Sequence, residues 1–74
     1  MAPLGALSQA WVSAEASLPL GWEIEGLWRF GDEWVSLAQG PDFEDYLSGS
    51  GRYDYVALQR LADRLRERRG PTTG

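Results

Sequence analysis

The stretch Gly49-Ser50-Gly51-Arg52-Tyr53-Asp54-Tyr55-Val56-Ala57-Leu58 constrains the fold more than any other part of this chain. A glycine-x-glycine leaves a short strand-like segment and runs directly into a helical pattern in which Leu58, Leu61, Ala62 and Leu65 fall on one stripe. Glycines there let a strand turn tightly and let a helix approach it closely. Asp54 is the cap candidate, because its carboxylate can accept from the free N–H groups of the first turn. Gly70-Pro71 is a strong stop signal, and Arg66, Arg68 and Arg69 suit the negative end of the helix dipole.

Upstream, Leu4, Leu7, Trp11, Ala14 and Leu18 recur at helical spacing, so a first helix is expected over about 3–17, opened by Pro3 and ended by Pro19. In the next segment Trp22, Ile24, Trp28 and Phe30 share one parity while Glu23, Glu25 and Arg29 share the other, the pattern of a half-buried strand. Gly31-Asp32 marks a hairpin turn that sets Arg29 opposite Trp34 and Trp28 opposite Val35. With that register Trp22, Ile24, Trp28, Phe30, Val35 and Leu37 are expected to face inward, since the opposite choice buries Glu23 and Glu25. Gly40-Pro41-Asp42 ends the second strand, and a third is expected around Glu44 to Ser50, with Leu47 toward the core and Tyr46 on the other side. The fold class is therefore α+β: a three-stranded antiparallel sheet with two helices packed on one face, in the order α-β-β-β-α.

Seventy-four residues form one domain, expected over residues 1–70 with a disordered tail at 71–74. There is no cysteine, histidine, lysine or asparagine. Stability must then come from apolar packing or self-association rather than from disulfides or thiolate zinc. Four tryptophans make such a core feasible. The all-arginine cation set fits codon bias in a GC-rich bacterial genome. Without histidine or cysteine the commonest general bases, nucleophiles and transition-metal ligands are missing, so a non-enzymatic protein without cofactor is expected. No signal peptide opens the chain and no apolar run approaches the roughly 20 residues that span a bilayer, which points to a cytoplasmic protein and no membrane partner.

The net charge of −4 is unevenly spread. Residues 15–54 hold nine acids against Arg29 and Arg52, whereas residues 60–69 hold five arginines against Asp63 and Glu67. An acidic body with a basic helix end weighs against nucleic acid as the partner.

Over roughly residues 4–69 the element order, together with Gly49, Gly51, Ala57 and Ala62, resembles a double-stranded-RNA-binding domain. That resemblance implies phosphate binding by a serine and two lysines opening the last helix. The corresponding positions here are Tyr53, Asp54 and Tyr55, an acid between two aromatics, which would repel a phosphate. Residues 22–66 also resemble the core of HicB-type antitoxins, in which a glycine sits six residues ahead of an Ala-Leu pair, as Gly51 does before Ala57-Leu58. That likeness implies a toxin partner and self-assembly.

Among candidate sites, Arg29, Trp34, Leu27 and Tyr46 are expected on the solvent face of the sheet, where exposed aromatics beside an arginine suit a protein interface or a homodimer. Arg60, Arg64 and Arg68, spaced by four, line one side of the last helix and offer contacts to an anion or an acidic partner. Tyr53 and Tyr55 are read as packing onto the helix start. Glu23 and Glu25, and the acids Asp42, Glu44 and Asp45, are read as solvated groups and not a metal site, because they lack the spacing of a calcium loop. The leading expectation is a small protein-interaction domain, self-associating or bound to a protein partner, with nucleic-acid binding and a HicB-like antitoxin role as alternatives.

Overall fold

In a computed structural model, residues 4–69 are described. Helix α1 spans Leu4–Ala16, strands β1, β2 and β3 span Glu23–Phe30, Glu33–Gln39 and Tyr46–Gly51, and helix α2 spans Asp54–Arg69. The strands form one antiparallel sheet in the order β1-β2-β3, and both helices pack on the same face of it. The α+β architecture and the element order agree with the sequence reading. The tail expected at 71–74 lies outside the described residues.

α1 closes with Ser17 and Leu18 N–H groups donating to the carbonyls of Ala14 and Glu15, a tightened last turn that meets the chain's exit at Pro19. Of the expected stripe, Ala14 is buried and Trp11 and Leu18 pack half-buried against the core, but Leu7 stays at the surface and Ala10 is buried instead. The reason is close approach, since alanines let α1 lie against Leu58 and Ala62 of α2 at short range. In α2 the expected stripe holds throughout, with Leu58, Leu61, Ala62 and Leu65 all buried. The Asp54 carboxylate accepts from the Tyr55 N–H at 2.7 Å, and the Tyr53 carbonyl accepts the first helical bonds from Val56 and Ala57.

The β1–β2 hairpin has the expected register, with Trp28 opposite Val35 and Arg29 opposite Trp34. Gly31, at φ +61°, takes the left-handed position that a two-residue turn demands between Phe30 and Glu33. One irregularity changes the outcome of the whole strand. Ile24 pairs with Ala38 but Gly26 pairs with Leu37, so Glu25 is an extra residue, a β-bulge.

The bulge corrects the expected inward set. Trp22 and Ile24 do pack against the buried cluster of Ala38, Leu61 and Leu65, but Trp28, Phe30, Val35 and Leu37 lie on the face away from the helices. The helix-covered face instead carries Leu27, Trp34, Ser36, Ala38, Leu47, Gly49 and Gly51. Small residues decide this facing. A methyl on Gly49 would stand 2.5 Å from the Ala57 carbonyl oxygen and the Leu61 nitrogen, so α2 rides directly on the β3 backbone. The side chains of Val35 and Leu37 would not fit where Ser36 and Ala38, both fully buried, now sit.

Candidate interaction surface

Of the four residues expected to form one exposed interface, the sheet separates three from the fourth. Leu27 packs against the buried cluster of Ala10, Ala14, Leu58 and Ala62, and Trp34, two residues from buried Ser36 on the same side of β2, is half-buried on the helix-covered face. Arg29 lies opposite Trp34, and its Nε donates to the Gly31 carbonyl at 3.1 Å, closing its own hairpin. Tyr46, opposite Gln39, stands on the open face. The placing of Trp34 with Arg29 and Leu27 on the solvent face is thus corrected, and the cause is the reversed facing of β2.

The arginine row of α2 is largely engaged within the fold. Arg60 donates to the Ser50 carbonyl at 3.1 Å, tying α2 to β3. Arg68 pairs with Asp45 at 3.2 Å and lies 5.1 Å from the centroid of the Trp22 ring. Arg64 is exposed. Tyr53 and Tyr55 stack on each other with centroids 5.7 Å apart, and Tyr55 also packs against the buried cluster, as expected of aromatics at a helix start. Asp45 belongs to a tight loop: the Gly40 N–H donates to its carbonyl, and the Gln39 amide donates to the carbonyls of Asp42, Phe43 and Asp45. That loop holds Phe43 out into solvent, 95% exposed. Among the described residues no group of three or more metal-ligating side chains converges.

The surface that sequence reasoning missed is the open face of the sheet. Trp28 and Phe30 on β1 and Val35 and Leu37 on β2 form its apolar part, with Tyr46 at one corner and Ser48 and Ser50 along β3. Trp28 is 44%, Phe30 65% and Tyr46 62% exposed. The Trp28 ring reaches back over Gly26, where an added methyl would stand 2.7 Å from it. At about 150–250 Å² per aromatic, these three rings alone leave roughly 250–430 Å² in water. That is comparable to the largest apolar patch on a typical single chain, a patch that is often functional.

A signal for this surface was present in the sequence. Ser36, Ala38, Gly49 and Gly51 are small residues on one parity of adjacent strands, matched by Ala10, Ala14, Ala57 and Ala62 on the helices. Small-against-small matching identifies the covered side. No helix among the described residues is long and apolar enough to cross a membrane. Comparison with known protein families, characterised proteins and solved structures returns no match, and the chain is assigned to no family.

Proposed function

We propose that this chain is a non-enzymatic protein-interaction domain whose working surface is the open face of its sheet. One observation carries the reading: Trp28, Phe30, Val35 and Leu37 form a flat apolar area on the side of the sheet that neither helix covers. Ordinary folding buries such a set, and a chain that leaves a tryptophan and a phenylalanine on an open face gains most when a protein covers them.

The alternative drawn from the double-stranded-RNA-binding resemblance has less support. The N-terminus of α2, where phosphate would be gripped, is taken by the Asp54 carboxylate, and Arg60 and Arg68 are already held by Ser50, Asp45 and Trp22. The HicB resemblance supplies a frame compatible with a protein partner, but no residue contact that points to a toxin.

The test is a photo-crosslinking amino acid placed at Phe30 on the open face and, as a control, at Gln59 on the outside of α2, in cells that make the protein. Crosslinks from position 30 to one discrete protein species, abolished by Trp28→Ser, support the reading. Equal crosslinking from both positions, or from Gln59 alone, overturns it.

A further inference from the structure

We infer that the occupant of the open face is a cationic amphipathic helix of about four turns from another protein, an inference that rests on the interaction reading above. Size gives the first argument. Three strands about 4.8 Å apart, with six to eight residues rising about 3.3 Å each, present a face roughly 10–15 Å by 20–26 Å. One α-helix is about 10–12 Å across with side chains, and about 14–16 residues cover that length. The other side of the same sheet already accepts helices, and a helix here would complete a three-layer arrangement.

Charge gives the second argument. Glu23 and Glu33 stand on the open face itself, opposite Gln39 and Phe30, and Glu25 projects from the bulge at the β1 edge. Asp32 occupies the hairpin turn, and Asp42 and Glu44 the loop after β2, all of them exposed. Between residues 22 and 53 these acids outnumber the two cations, Arg29 and Arg52, and Arg29 is turned to its own hairpin carbonyl. An apolar centre with Glu23 and Glu33 at its two ends and Glu25 at its β1 edge complements an apolar stripe flanked by lysine or arginine.

A second copy of this chain does not offer that combination. The outside of α2 is arginine-rich, but its exposed residues, among them Gln59, Arg60, Asp63 and Arg64, are all polar. The outside of α1, a shallow dent of about 330 Å³ lined by Ser8, Gln9, Val12, Ser13 and Ala16, carries no cation of its own, and the one arginine that reaches its rim, Arg66, is spent on the Ser13 hydroxyl at 3.0 Å and on Asp63. Two open faces stacked on each other would bring Glu23 and Glu33 of one copy against acids of the other.

The experiment is fluorescence anisotropy of the full chain with a labelled, amidated peptide of about 16 residues. The probe carries leucine along one helical face and lysine elsewhere; its counterpart has every lysine replaced by glutamate. The lysine peptide is expected to bind at least about tenfold more tightly than the glutamate peptide, and progressively more weakly as salt rises from about 50 to about 300 mM. Trp28→Ser, and separately the double variant Glu23→Lys with Glu33→Lys, are expected to weaken binding at least about tenfold while the circular dichroism of the fold is kept. The charge variants alter exposed positions, so they test the idea even if Trp28→Ser perturbs folding. A glutamate peptide that binds equally well, or binding indifferent to all these variants, overturns the inference. Sedimentation separates the failures: a dimer dissolved by Trp28→Ser makes the occupant a second copy and leaves the interaction reading standing, whereas a monomer with no peptide binding and no crosslink from position 30 removes both.

Discussion

The Ser36 hydroxyl, in the middle of the central strand, donates a 2.8 Å hydrogen bond to the carbonyl oxygen of Ala57 in the first turn of α2. The Gly49 carbonyl lies 3.3 Å from the same hydroxyl, so one buried side chain joins β2, β3 and α2. A polar residue at this place is compatible with full burial because the hydroxyl is satisfied. It also sets the distance between helix and sheet.

Ser36→Ala should therefore lower stability by about 1 kcal/mol, the usual contribution of a buried neutral hydrogen bond. Ser36→Val should cost more, because its extra methyl enters a space bounded by the Gly49 and Ala57 backbones. Urea denaturation of the two variants measures both; a Val variant as stable as wild type would show that the helix can retreat from the strand.

Gly49→Ala is expected to be among the most damaging changes of a single methyl. The added carbon meets backbone atoms of Ala57 and Leu61 rather than a movable side chain, so α2 must shift as a body. The loss should reach or exceed the upper end of the roughly 1–3 kcal/mol seen for overpacking. A thermal melt compares it with Gly5→Ala, where the methyl meets nothing within 4 Å.

Trp34→Ala and Trp28→Ala should part ways. Trp34 is on the helix-covered face, and its truncation should remove about 2 kcal/mol of stability, less than the roughly 3–5 kcal/mol of a fully buried tryptophan. Trp28 is on the open face and should cost less than half as much, with its main effect on partner binding. Denaturant midpoints for the pair read this directly, and the reverse order would mean that the sheet faces are misassigned.

Arg68→Ala should cost about 0.5–1 kcal/mol, combining a partly exposed ion pair to Asp45 with the contact to the Trp22 ring. Because the guanidinium lies against an indole, the change should also alter tryptophan emission. Arg64→Ala, on an exposed position of the same helix, should leave both stability and emission within the scatter of surface substitutions.

Helix α2 was legible because Leu58, Leu61, Ala62 and Leu65 carry both the period and the hydrophobicity of a buried stripe. The hairpin register was legible because Gly31-Asp32 allows few loop lengths. The facing of the sheet was not. Parity counting assumes an unbroken ladder, and the extra residue at Glu25 moves Trp28 and Phe30 to the side opposite Ile24. Size also misled: Val35 and Leu37 are larger and more apolar than Ser36 and Ala38, so they read as core. The close seat of α2 on Gly49 reserves the interior for the smaller residues. The candidate site inherited that reversal, which sent Trp34 and Leu27 inside and brought Trp28 and Phe30 out.

The bulge at Glu25 thus works as a frame-shift within a single strand. Even-numbered positions before it answer to the interior, and even-numbered positions after it answer to the outside. Substitutions at 28 and 30 are for that reason uncoupled from those at 22 and 24, although all four belong to one run of alternating apolar residues. Changes on the open face can therefore accumulate while the packing of Trp22 and Ile24 against the core remains fixed.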